Sequence, residues 1–236
     1  MNLIKTGIPG LDEIFKGGIK ENSSVLLSGG PGTGKSILAL QFIIEGAKLG
    51  QPGLFISAEQ SIDDLKENAV SLGFDIDKYE KEKKIILLEQ TISSKKLVSI
   101  AAPLSLIKKH NIKRVALDSL TLFGYTHAAG EMDYRKEVLS FIQAMKEAKI
   151  TLLATSEKTV TDTHVLRYES EDFLFDGLVL LTEVRKASSF ERVIHIVKMR
   201  GQSHLLDAYP FKIEKGGIRV YPDQIPFSLI EKESKK

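Results

Sequence analysis

The chain has 236 residues, with 33 Lys and Arg against 31 Asp and Glu, a formal net charge of +2. The charges are well mixed, without the concentrated basic field that nucleic-acid binders often carry, so nucleic acid is a disfavoured partner. The absence of cysteine excludes disulfides, Cys-based zinc sites and thiol nucleophiles, and with no run near the ~20 apolar residues of a membrane span and no long apolar leader, a cytoplasmic protein without a membrane partner is expected.

Apolar runs alternate with helix-like segments along the chain. VLLSG predicts a strand, followed by a helix from Lys35. LFISA is the next strand, and a helix is expected near Ser61–Leu72. IILLE, a helix ending at His110, RVALD, a helix near Asp133–Lys149 and ITLLATS continue the pattern. These strands are continuously apolar rather than alternating, which indicates burial on both faces. The expected fold class is therefore α/β, a mostly parallel central sheet flanked by helices. From Asp176 the pattern changes to DGLVLLTEV, FERVIHIVKMR and PFKIEKGGIRVYP. Short connections and a GG turn there predict C-terminal antiparallel β-hairpins extending the sheet. Residues 1–230 are expected to form a single domain, and residues 231–236, EKESKK, a disordered tail.

GGPGTGKS, Gly29 to Ser36, satisfies the phosphate-loop pattern G-x-x-x-x-G-K-[ST], with a strand before it and a helix after it. Glycines let backbone N–H groups turn inward around phosphate oxygens, and the helix N-terminus adds its positive dipole end. Lys35 is expected to reach the β- and γ-phosphates, and Ser36 to ligate Mg²⁺. No N-K-x-D guanine-reading stretch occurs, so the expected ligand is ATP with Mg²⁺.

Two carboxylates end buried strands. Asp118, closing RVALD, faces the crevice where ligands bind in such sheets and would hold Mg²⁺ through water. An Asp capping the following segment is the alternative. Glu59, closing LFISAE, occupies the same kind of position and could polarise a water for attack on the γ-phosphate. It could equally be a solvated residue just before the capping box that starts at Ser61. Ser156 and Glu157, ending ITLLATSE, are weaker sensor candidates.

KMRGQSH, Lys198 to His204, follows the apolar run VIHIV. If the strand continues, Lys198, Arg200, Gln202 and His204 share one face. Cations lying over apolar neighbours such as Ile196 are the bland explanation. The functional one needs a desolvated anion for them to meet. The stretch TLFGYTHAAGEMDYRKE is long for a connection, and its Tyr125 and His127 could touch nucleic acid or be inert loop residues. The segment EKTVTDTHVLRYESED has an acidic end that argues against phosphate-backbone binding.

TGIPGLDEIFKGG, GGPGTGKS, SAEQ, VALDSL and KMRGQSHLLDAYPFKIEKGGIRVYP, in that order from about Thr6 to Tyr221, resemble the KaiC-like ATPases of the RecA superfamily. The resemblance is to a single-domain member. It implies a RecA-like P-loop core with ATP bound at a subunit boundary, in a homo-oligomer that is a hexameric ring. In the family, the Lys and Arg matching Lys198 and Arg200 reach the phosphates of the neighbouring subunit's ATP. His204 matches a histidine of the same motif, and Glu59 matches the catalytic carboxylate. The resulting nucleotide-binding set is Gly30, Pro31, Gly32, Thr33, Gly34, Lys35, Ser36, Leu38, Asp118 and Ser156, with Lys198, Arg200 and His204. The metal ligands are Ser36 and, through water, Asp118. The catalytic set is Glu59, Lys35, Lys198 and Arg200.

Two departures from the family pattern bear on activity. Many KaiC-like domains carry two consecutive acidic residues where this chain has Glu59-Gln60. A Gln cannot act as a carboxylate base, so slow hydrolysis is expected. In the family's circadian-clock members, the second repeat has adjacent Ser and Thr before the strand matching GLVLLTEV. Here YESEDFLFD puts Asp172 and Phe173 there, so a clock-type phosphorylation cycle is not expected at that site. The leading reading is an ATPase that switches an unknown protein partner. A DNA-associated recombinase paralogue and a nucleotide-gated scaffold with negligible hydrolysis are the alternatives.

Overall fold

The computed structural model describes residues 2–90, 101–124, 131–157, 168–186 and 188–226. The chain opens with strand β1 (Leu3–Ile4), the short helix α1 (Leu11–Ile14) and β2 (Ile19–Lys20), the two strands pairing antiparallel. Then come β3 (Ser24–Gly29), α2 (Lys35–Lys48), β4 (Gly53–Ser57), α3 (Ile62–Ser71), α4 (Ile76–Lys81) and β5 (Ile85–Glu89). They are followed by α5 (Ala101–His110), β6 (Arg114–Asp118), α6 (Thr121–Gly124), α7 (Glu131–Glu147) and β7 (Thr151–Glu157). A 3₁₀ turn (Ser170–Phe173) leads into β8 (Gly177–Lys186), β9 (Ser189–Met199), β10 (Ala208–Glu214) and β11 (Gly217–Val220).

The predicted α/β class holds. Nine strands form one sheet in the order β11-β10-β9-β8-β3-β7-β6-β4-β5. From β8 to β5 neighbouring strands run parallel, whereas β8–β9, β9–β10 and β10–β11 are antiparallel. Every residue of β3, β4 and β6 is buried, because helices cover both faces of the parallel part. Val25, Leu27, Phe55, Ala116 and Leu153 point to the face covered by α2. Leu26, Ile56, Leu117, Leu152 and Ala154 point to the opposite face, packed with Val138, Phe141 and Met145 of α7. This period-two division decides which strand-end side chains can reach a ligand.

Several helix boundaries follow from local chemistry. Ser61 is the N-cap of α3, its hydroxyl accepting from the Asp64 N–H at 3.1 Å. Asp75 caps α4 in the same way through the Lys78 N–H; this short helix and the β1–α1–β2 segment have no clear periodicity and were not anticipated. Helix α7 starts at Glu131, two residues before the expected Asp133, and α6 occupies the start of the stretch read as a long loop. Tyr125, His127, most of the second loop segment and the expected 231–236 tail lie outside the described residues.

Helix α2 is buried nearly all round. One side packs on the sheet, and another meets the β10–β11 hairpin through Gln41, which is 3 % exposed. The Gln41 carboxamide accepts from the Ile218 N–H at 2.6 Å and donates to the Ile218 carbonyl at 3.3 Å. It thus pairs backbone groups that an edge strand otherwise leaves open. Gly217, at φ 93°, lies so close that a Cβ there would fall 2.4 Å from the Gln41 Cδ.

Candidate functional site

The loop from Gly30 to Gly34 joins buried β3 to the N-terminus of α2. Gly34 is left-handed, at φ 96° and ψ 15°, a conformation open to glycine at little cost. A Cβ there would also press on the Ile213 side chain at 2.9 Å. Lys35 is largely buried, and its ammonium donates to the Gly30 carbonyl at 2.9 Å; the Thr33 hydroxyl donates to the same oxygen at 2.8 Å. The N-terminal turn of a 14-residue helix thus stands beside a cation and a Ser hydroxyl, which suits a phosphate chain.

A cavity of about 380 Å³ opens at this point, lined by the loop and by Lys35, Ser36, Glu59, Asp118 and Glu157. Asn68 and Ser71 of α3 and the Leu72 that follows it also line the cavity. Asp118 is 3 % exposed, has the Ser36 hydroxyl beside it, and accepts a hydrogen bond from the Thr155 hydroxyl. Burial pushes its carboxyl pKa up and the Glu59 charge adds to that, while those hydroxyls and Lys35 pull it down. Glu59 accepts a hydrogen bond from the Ser119 hydroxyl, which fixes its carboxylate beside Asp118. Gln60 is turned towards α3, accepting from the Asn68 amide at 3.4 Å.

Among the described residues no three His, Asp or Glu side chains converge as a metal cage. The adjacent Ser36 and Asp118 nevertheless fit the site of a hydrated Mg²⁺, which keeps several waters and takes only one or two protein oxygens. Such an ion would supply charge neutralisation for phosphate oxygens.

The nucleotide candidates do not all converge. Pro31, Gly32, Gly34, Lys35, Ser36, Glu59 and Asp118 line the cavity. Gly30 and Thr33 shape the loop from behind through the bonds above. Leu38 is absent from the lining, where Ile37 and Leu40 stand, and is packed in the core. Ser156 alternates with Thr155 and Glu157 along β7 and so points to the α7 face, away from the cavity that Glu157 lines. The sequence showed that a polar pair ended the strand; which member faces α2 depended on register.

Lys198 and Arg200 lie at the opposite end of the strands from the loop. The loop end of β3 is level with Leu181 of β8, whereas Met199 pairs with Gly177, level with Val25. Four residue steps of about 3.3 Å, roughly 13 Å, separate these levels along the strands. The two cations are therefore remote from their own chain's loop. The strand does not carry all four polar residues on one face, because β9 ends at Met199 and Arg200 enters a turn. A register shift also intervenes: Leu178 pairs with Lys198 but Val179 with Ile196, leaving Val197 as an extra residue. This bulge turns Lys198 to the face opposite Ile196, so the expectation of a cation lying over Ile196 fails.

Lys198 donates to the Phe175 carbonyl at 2.9 Å and Arg200 to the Phe173 carbonyl at 2.9 Å. Burial and the Arg200 charge push the Lys198 pKa down, against Asp172 and Asp176. Asp172 itself is buried and accepts from the Glu169 N–H. His204 contacts the Leu205 carbonyl at 2.9 Å in the connection that follows β9. Gln202, which sequence reasoning grouped with the cations, is a structural clamp: it donates to the Phe15 and Gly18 carbonyls at 2.7 and 2.6 Å and accepts from the Lys20 N–H at 2.9 Å. The TGIPGLDEIFKGG segment is thereby fastened to the KMRGQSH turn.

A phosphate loop on the central strand, with carboxylates at the ends of the neighbouring parallel strands, defines a RecA-type P-loop nucleotide-binding core. The family model described as "ATPase: KaiC" matches residues 4–225, and the chain belongs to the KaiC ATPase family. It is 33 % identical over 229 residues to the circadian clock oscillator protein KaiC of a Picosynechococcus strain, covering 93 % of this chain and 44 % of that protein. Against KaiC 1 of Synechocystis the identity is 31 %, with the same coverage. The chain thus spans about half the length of the curated relatives it matches. A crystal structure of a KaiC-like protein from Pyrococcus horikoshii is 35 % identical and superposes with a TM-score of 0.82, covering 94 % of this chain and 99 % of that one. Among the described residues no helix is long and apolar enough to cross a membrane.

Proposed function

We propose that this chain is a slow Mg²⁺-dependent ATPase acting at the boundaries between copies in a hexameric ring, where turnover switches a protein partner. Lys35 and the loop amides hold the β- and γ-phosphates, and Ser36 and Asp118 hold the hydrated ion. Glu59, braced by Ser119, orients the attacking water. Lys198 and Arg200 of one copy meet the γ-phosphate of the next. The observation carrying this reading is the separation of the two half-sites to opposite ends of the strands: cations so placed cannot serve their own loop but can serve a neighbour's.

Light scattering with and without Mg·ATP, followed by phosphate release on the same fractions, tests the reading. ATP-dependent rings that carry the turnover support it, and full turnover by a monomer overturns it. Glu59→Gln is expected to keep ATP binding and to lose about 10²–10⁴-fold in turnover, the range of a general base; unchanged turnover would remove Glu59 from that role. Gln60 favours a second reading, a nucleotide-gated scaffold, which the same assay separates: ATP binding and assembly without phosphate release.

A further inference from the structure

In this chain the position after Glu59 is an amide, and Gln60 is turned towards Asn68 of α3. The cavity nevertheless has a third carboxylate, brought from another strand. Glu157 ends β7, which lies between β3 and β6, so across the sheet the order is phosphate loop, Glu157, Asp118, Glu59. Its Cα pairs with Gly29, the first residue of the loop motif. Leu153, packed on the α2 side, and Thr155, which bonds Asp118, precede it at two-residue steps. The side chain therefore enters the cavity on the Asp118 face, about two residues or 7 Å further towards its mouth.

From this placement we infer that Glu157 is a ligand-binding residue, accepting a hydrogen bond from a water of the hydrated Mg²⁺ held by Ser36 and Asp118. An exposed carboxylate beside the loop would repel phosphate oxygens on its own. With a hydrated divalent cation between them, the same carboxylate becomes an acceptor for a metal-bound water. Its contribution consequently has opposite signs with and without the ion. The inference rests on the nucleotide–metal reading above.

Calorimetric binding of AMP-PNP in Mg²⁺ and in EDTA tests it without relying on turnover. Glu157→Gln, an isosteric change at an exposed position, leaves the fold intact, which thermal melting verifies. The variant is expected to lose about tenfold in Mg²⁺-supported affinity, the lower end of outer-shell effects, while its affinity in EDTA stays level or tightens. A variant that responds to Mg²⁺ as the wild type does, or weakens equally in both buffers, overturns the role of Glu157 alone. A wild type whose AMP-PNP affinity ignores Mg²⁺ overturns the nucleotide–metal reading and this one with it.

Discussion

Arg200→Ala is expected to bind ATP as the wild type does and to lose turnover by about 10³-fold or more, the effect of removing an arginine supplied in trans. Within its own chain the side chain is exposed and donates to the Phe173 carbonyl. Truncation there therefore costs little stability. At a neighbour's γ-phosphate the same guanidinium would stabilise charge that develops only in the transition state. Lys in its place would supply the charge without the planar fork. Mixing supplies the decisive measurement. Arg200→Ala and Lys35→Ala chains are each expected to be inactive alone, whereas in the proposed ring a mixture would contain interfaces with an intact loop from one and an intact arginine from the other. Partial recovery of phosphate release on mixing is expected; normal turnover of Arg200→Ala alone, or no recovery, sinks trans action.

Arg114→Ala is expected to cost about 3–5 kcal/mol, the combined effect of buried acceptors losing their donor and of a cavity opened in the core. Arg114 is 0 % exposed. Its guanidinium donates to the carbonyls of Lys5 and Phe42 at 2.8 and 3.0 Å and twice to the Gln51 side-chain oxygen at 3.0 and 2.6 Å, and it stacks 4.8 Å from the Phe42 ring. Burial lowers its pKa to about 10, partly offset by Glu45 and Asp12. The group stays protonated in both the folded and unfolded chain at neutral pH, so this burial cost does not vary with pH there. Removing it takes a donor from three acceptors and opens a cavity against Gly46, where a Cβ would lie 2.6 Å from the Arg114 Cδ. A fall in Tm of roughly 6–20 °C follows from that energy for a chain of this size. A fall of only a degree or two would show that water replaces these bonds.

Arg114 shows what local pattern conceals. An Arg heading an apolar strand reads in sequence as a solvated end, and nothing nearby names Gln51, Phe42 or Lys5 as its partners. The β1–α1–β2 segment was equally opaque as structure, because its strands are two residues long and are held by tertiary bonds such as those of Gln202. By contrast, α3 was legible to within a residue, since Ser61 caps it through a bond three residues away.

The residues alone determined the phosphate loop, the buried parallel strands around it, the carboxylates Glu59 and Asp118 at strand ends, and the cations of KMRGQSH. Each of these depends on short-range chemistry: glycine conformations, apolar runs and the two-residue period. Tertiary structure decided which of those groups meet. Register along β7 turned Glu157 into the cavity and Ser156 out of it. The bulge at Val197 sent Lys198 to the face opposite Ile196, and the antiparallel return of β9 carried Lys198 and Arg200 to the strand ends opposite the loop. Register, bulges and strand direction arise from hydrogen bonds between segments distant in sequence, and no local pattern encodes them.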